Sequence, residues 1–126
     1  MTKKLKEQKP KKITKKELAR IEKLERKKLW EEIRQQVIIR DNGCAICHSY
    51  KGLNVHHILP RENSEWFFNK DNLICLCYNH HKFGSPIKDI SAHKNAFPFY
   101  LWLEKNRPEQ FNNLKKLAEE KWLKNL

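Results

Sequence analysis

Two short knuckles, Cys44-x-x-Cys47 and Cys77-x-x-His80, separated by 29 residues, restrict what this chain can fold into more than any other feature. Each spacing lets two side chains of one tight turn converge on the same tetrahedral ion. Four ligands from two distant segments then specify a closed Cys3His site, a common structural zinc set. Such an ion keeps no position open for a substrate, so it holds the fold and does not activate water. No charged start followed by an apolar core marks a secretion signal, so the four cysteines read as metal ligands more readily than as disulfides. Cys75 lies two residues before Cys77, on the same face if the segment is a strand, and could compete as a ligand. A buried free thiol is the favoured reading of it.

At 126 residues, 39% of them apolar, the chain is sized for one compact unit with an appended arm and a modest core that gains from a metal staple. Residues 1–13 are lysine-rich, carry Pro10 and show no hydrophobic period, which predicts a disordered basic lead. A helix is expected over 14–40: Thr14 and Glu17 form a capping box, and Leu18, Ile21 and Leu24, then Trp30, Ile33 and Val37, recur at helical spacing. The turn Asp41-Asn42-Gly43 opens a core expected over 41–95. In it, a strand is expected within Gly52–Ile58, ended by Pro60, and a polar loop with Trp66, Phe67 and Phe68 leads to a second strand at Leu73, Ile74 and Leu76. A helix is expected from Tyr78 until Gly84-Ser85-Pro86 breaks it. Residues 96–126 carry two further helical patterns, one around Phe97–Lys105 and one from Pro108 with Phe111, Leu114, Leu117 and Ala118 on one face. The simplest packing sets these tail helices against Trp30 and Ile33.

Charge points to the partner. The chain has 27 Lys+Arg against 15 Asp+Glu, a net +12, which calls for a polyanion. Residues 1–30 hold 13 Lys+Arg and 4 Glu, a surplus of nine, so three quarters of the net charge sits in the first quarter of the chain. DNA, with this N-terminal arm on its phosphates, is the expected partner; a solvated face that confers only solubility is the alternative. No stretch approaches the roughly 18 apolar residues of a membrane span, and the chain reads as intracellular, in a bacterial cytoplasm.

Between the knuckles stands Val55-His56-His57-Ile58-Leu59-Pro60-Arg61, and His81 follows the second knuckle. Neighbours on a strand face opposite ways, so His56 and His57 divide the work: one imidazole can bind an ion while the other, metal-free, takes a proton from water near neutral pH. A site with few protein ligands leaves positions for phosphate oxygen and water, which suits magnesium or manganese. Arg61 could clamp a phosphate. His93, in Ser91-Ala92-His93-Lys94, could reach the site as a further ligand or phosphate contact, or sit at a helix start. Trp66 and Phe67 could stack on bases or cover the core, and covering is favoured.

Cys-x-x-Cys, then Val-His-His-Ile-Leu-Pro, then Asn-Leu-Ile-Cys-Leu-Cys, then Asn-His-His, over roughly 41–84, resembles the HNH, or ββα-metal, endonucleases of the zinc-containing kind. The resemblance covers about a third of the chain. It implies an α+β fold: a small zinc-stabilised ββα-metal finger flanked by the N-terminal basic helix and C-terminal helices. It implies a metal-dependent DNA endonuclease in which His56 and His81 bind a catalytic divalent ion, His57 is the general base, and Asn72 holds the loop that orients His57. It also implies 5′-phosphate and 3′-hydroxyl products. Here the second knuckle reads Cys-x-x-His-His where the family usually has Cys-x-x-Cys-His, so His80 is the expected zinc ligand and His81 the catalytic one, with an exchange between them open. Small size and a basic lead suit a phage or mobile-element origin. The competing readings are a catalytically silent zinc-stabilised nucleic-acid-binding module and an RNA-cleaving nuclease.

Overall fold

A computed structural model describes residues 10–62, 64–83 and 90–124. Most of the expected basic lead, 1–9, and the expected break at Gly84-Ser85-Pro86 lie outside the described residues.

Helix α1 runs over Lys15–Asp41. It starts where the hydrogen bonds say it must: the Thr14 hydroxyl accepts from Glu17 N (3.1 Å) and the Glu17 carboxylate accepts from Thr14 N (3.4 Å), satisfying two amides that no helical carbonyl reaches. It stops because Asn42 (φ 55°) and Gly43 (φ 79°) turn left-handed, and Gly43 N donates back to Ile38 O at 3.2 Å. A Cβ on Gly43 would stand 2.8 Å from Ser49 O, so the chain turns into the first knuckle only through glycine.

Strands β1 (Asn54–His57) and β2 (Leu73–Leu76) pair antiparallel, with His56 opposite Ile74 and His57 opposite Leu73. The connection expected as a loop contains one helical turn, α2 (Ser64–Phe67), and a 3-10 turn, Lys70–Asn72. Both are too short to show a hydrophobic period; the Asn69 side chain, accepting from Asp71 N at 3.0 Å, starts the second. A wide helical turn, Asn79–Phe83, follows the second knuckle. Helices α3 (Ala96–Asn106) and α4 (Pro108–Ala118) end the fold, joined at Arg107 and continued by a turn over Glu119–Leu123.

This is an α+β molecule whose small sheet is covered on both sides. Leu73 and Cys75 point to one face, where Ile33 and Val37 of α1 and Val55 of β1 close over them. Ile74 and Leu76 point to the other, against Phe99, Leu103 and Leu114 of the tail helices and Cys44, Ala45 and Cys77 of the knuckles. All four β2 residues are consequently buried. The packing of tail helices on Trp30 and Ile33 is therefore corrected: a two-stranded sheet has two faces to hide, and α1 already occupies one.

Asp41 ties the layers together. Its buried carboxylate receives Arg40 (2.7 and 3.1 Å), Arg107 (2.9 Å) and the amide of Cys75 (2.8 Å). The same Arg40 guanidinium donates to Lys70 O (2.8 Å) and Leu73 O (2.6 Å), and Gln110 of α4 donates to Asp71 O (2.8 Å) and Leu73 O (3.0 Å). The end of α1, the start of β2 and the α3–α4 corner thus share one charge-assisted network.

Candidate active site

The knuckles meet. The ligand atoms of Cys44, Cys47, Cys77 and His80 lie within 4.8 Å of one another, close enough to hold a metal ion. Bonds of about 2.3 Å to sulfur and about 2.0 to 2.1 Å to nitrogen give a regular tetrahedron edges of about 3.8 Å between sulfurs and about 3.6 Å between sulfur and nitrogen. Cys47 Sγ and Cys77 Sγ are 3.8 Å apart, Cys44 Sγ and His80 Nδ1 3.6 Å, and Cys77 Sγ and His80 Nδ1 3.2 Å. Donor set and spacing both fit zinc. Burial raises the Cys44 thiol, but hydrogen bonds from the backbone of Cys47, Cys77 and Ile46 outweigh it and leave the pKa below its ordinary 9.0, favouring the thiolate a metal needs. Cys75 stays out of this group. It is buried on the α1 face of the sheet, and burial, with Asp41 beside it, pushes its thiol up to about 11.

A second cluster lies on the tail-helix face of β1. The ligand atoms of His56, His81 and His93 fall within 4.8 Å of one another, and their ring centroids are 4.5 to 5.0 Å apart. His81 Nε2 and His93 Nε2 are separated by 3.0 Å, the spacing of two nitrogens about 2.1 Å from one ion at about 90°. Local backbone explains the convergence. His81 N donates to Cys77 O (2.9 Å), hanging His81 directly from the knuckle that aims His80 the other way. Ala92 N and His93 N donate to His80 O (2.9 Å) and His81 O (3.0 Å), so the buried Ser91 turn is laced to the same segment. Burial, then the charges of His81, His93 and His57, push His56 down to about 3; burial, then His93 and Lys82, push His81 down to about 4. Both imidazoles are kept neutral near pH 7, the form that ligates metal.

His57 faces the other way. Its ring stacks on Trp30 (centroids 5.0 Å, 17°) and meets Phe67 at 4.7 Å, while Nε2 lies 3.1 Å from Phe67 O. A carbonyl only accepts, so Nε2 carries the proton and Nδ1 has the free lone pair. Burial lowers the His57 pKa, the charge of Arg61 lowers it further, and the Phe67 carbonyl offsets part of this. The residues expected as ion ligands, His56 and His81, thus converge, His93 joins them as the further group the sequence allowed, and the alternation expected along β1 sends His57 to the α1 face. His57 nevertheless opens, with His56, Arg61, His81, Lys82 and His93, onto one cleft of about 500 Å³.

Asn72 holds the wall of this cleft. Wholly buried, it accepts from Leu59 N and donates to Leu59 O (3.1 Å) and Trp66 O (3.2 Å), stapling the β1–β2 connection whose next carbonyl, Phe67 O, receives His57. Arg61 is exposed at the rim. Trp66 is buried edge-on to Trp122 (5.3 Å), and Phe67 packs between Trp30 and Phe68, so both cover the core. Sequence reasoning did not find the Trp30–His57 stack or the Asp41 network: Trp30 carried only a helical period, and Asp41 looked like part of a turn.

No family model matches this chain, and no curated protein or solved structure matches it.

Proposed function

We propose that this chain is a metal-dependent endonuclease of the HNH, ββα-metal kind that hydrolyses phosphodiester bonds in DNA. One observation carries the reading: a histidine with a fixed tautomer and a free Nδ1 shares a cleft with three converging imidazoles and an arginine. In this reading β1, β2 and the turn Asn79–Phe83 are the metal finger, and zinc on Cys44, Cys47, Cys77 and His80 holds it closed.

His56, His81 and His93 would hold a second, catalytic divalent ion, which when bound supplies Lewis acidity to the phosphate and to charge on the departing 3′ oxygen. Three imidazoles fit a first-row transition ion better than magnesium, so manganese is the better of the two ions expected from the sequence, with zinc and nickel binding more tightly still. His93 thereby gains a ligand's role in place of a substrate contact. The rest falls to the chain's own groups. His57 takes the proton of the attacking water at Nδ1, and its Nε2–H bond to Phe67 O keeps the ring from turning. Asn72 keeps Phe67 O in position. Arg61 and Lys82 set positive charge around the phosphate.

The test is incubation of the purified, zinc-loaded chain with supercoiled plasmid, with and without manganese or magnesium. Divalent-dependent nicking or linearisation is expected, abolished in His57→Ala while zinc content and duplex binding persist. Binding without cleavage under every divalent ion would replace this reading with a silent binding module. Cleavage confined to structured RNA would replace it with an RNA nuclease.

A further inference from the structure

Along α1, Lys16, Arg20, Lys23, Lys27 and Trp30 follow one another at i, i+4, i+7, i+11 and i+14, the spacing of a single helical face. The four cations are exposed, and among the described residues none enters an ion pair. Trp30, at the inner end of the row, stacks on His57. The row therefore starts behind His57, which lines the cleft, and reaches about 21 Å away along the helix axis. Arg26, one turn before Trp30, continues the same face over the Phe68 ring at 5.9 Å. The first half of the helix stands clear of the core: of its 27 residues only Ile33, Val37 and Asp41, all in the second half, are buried.

From this we infer that the Lys16–Arg20–Lys23–Lys27 stripe of α1 is a docking track for the phosphate backbone of a nucleic-acid duplex, leading it to His57. The inference deepens the nuclease reading and rests on it for the direction of the track.

Three features select a duplex over other polyanions. A straight row of cations matches a stiff, regularly charged rod, and each neutralised phosphate releases counterions. A single strand calls for stacking platforms along the groove, yet Trp30 is the one aromatic in α1 and its ring is spent on His57. An anionic membrane calls for an apolar face flanked by cations. Of the apolar residues of this half, Leu18 and Ile21 lie away from the stripe, in the company of Glu17, Glu25 and Glu32, and Leu24 alone stands beside it, four residues on from Arg20. A DNA and an RNA duplex present the same phosphate chemistry, and the experiment separates them.

The test uses the full chain without added divalent ion, so that binding is read apart from cleavage. A stripe variant (Lys16→Gln, Arg20→Gln, Lys23→Gln, Lys27→Gln) is compared with an equal-charge control (Lys28→Gln, Lys105→Gln, Lys115→Gln, Lys116→Gln). Glutamine keeps the helix propensity of the residues it replaces, and circular dichroism verifies the fold. Affinity for a 20-base-pair DNA duplex, the matching RNA duplex, a single strand and phosphatidylserine vesicles is measured across salt concentration. The stripe variant is expected to lose more than tenfold in duplex affinity at 0.1 M salt, and its slope of log affinity against log salt is expected to fall by about 3 to 4. The control should keep most of both. Equal losses in the two variants, or wild-type preference for the vesicles or the single strand, overturn the inference. Stripe-dependent binding with no cleavage under any divalent ion leaves the track standing and removes the nuclease reading instead.

Discussion

His57 shows how much a single hydrogen bond can decide. With Nε2 committed to Phe67 O, the proposed base function rests on Nδ1, and burial together with Arg61 lowers the pKa of the ring. A base works in its neutral form, and a lowered pKa means that this form is populated from a lower pH. Cleavage under saturating manganese should therefore rise with pH and level off below pH 6.5; an acid limb centred above 6.5 in the pH–rate profile would count against His57. Asp41 is the side chain through which α1, β2 and the α3–α4 corner are joined. It is buried with two arginines whose side chains keep 32% and 26% exposure. Asp41→Ala removes the carboxylate from both and frees the Cys75 amide, so a loss of about 3 kcal/mol is expected in urea unfolding, the low end for a broken buried pair because the guanidinium groups still reach water and Arg40 keeps Lys70 O and Leu73 O.

Among the elements, the β1–β2 connection is the one on which the proposed chemistry would depend. It has little regular structure, only the single turn α2 and a 3-10 turn, and Asn72 replaces the missing ladder by capping Leu59 and Trp66 from inside. Asn72→Ala removes the partner of Leu59 N and of Leu59 O, while Trp66 O keeps the Asn69 amide, which predicts a loss of about 1 to 3 kcal/mol. If the staple also positions Phe67 O, kcat should fall further than stability does, measured at a temperature where the variant remains folded. Matched losses would give Asn72 a purely structural role. Strand β1 has a different part: by presenting His56 to one face and His57 to the other it separates an imidazole of the His56–His81–His93 cluster from one outside it, with no sequence signal beyond two adjacent histidines.

At the scale of the whole molecule, the knuckles and the histidine trio form one mechanical unit. His80 and His81 are neighbours, one turned into the Cys3His group and the other into the trio, and their carbonyls anchor the turn that carries His93. Metal bound in the Cys3His group should therefore be felt in the other cluster. Stripping it with a chelator is expected to abolish cooperative thermal unfolding in calorimetry, and about one equivalent of zinc should restore it. Cys44→Ser should weaken divalent binding at the distant trio as well as lowering zinc content. Retention of a sharp transition in the fully stripped chain would show that the two apolar layers suffice without the ion.

The sequence on its own determined the local features: where α1 begins, because Thr14 and Glu17 satisfy each other; which segments pair as strands; and that Cys44, Cys47, Cys77 and His80 meet, because x-x spacing in two knuckles admits little else. Local propensity and ligand spacing act over a few residues and can be read from a string. What the tertiary structure decided was every relation between faces. It sent the tail helices to the side of the sheet opposite α1, joined His93 to His56 and His81 from well outside the zinc segment, set Trp30 behind His57 and buried Asp41 between two arginines. These depend on which face of a two-sided sheet each element covers, a choice made by the competition of all apolar surfaces for burial at once, and no short window of sequence encodes it.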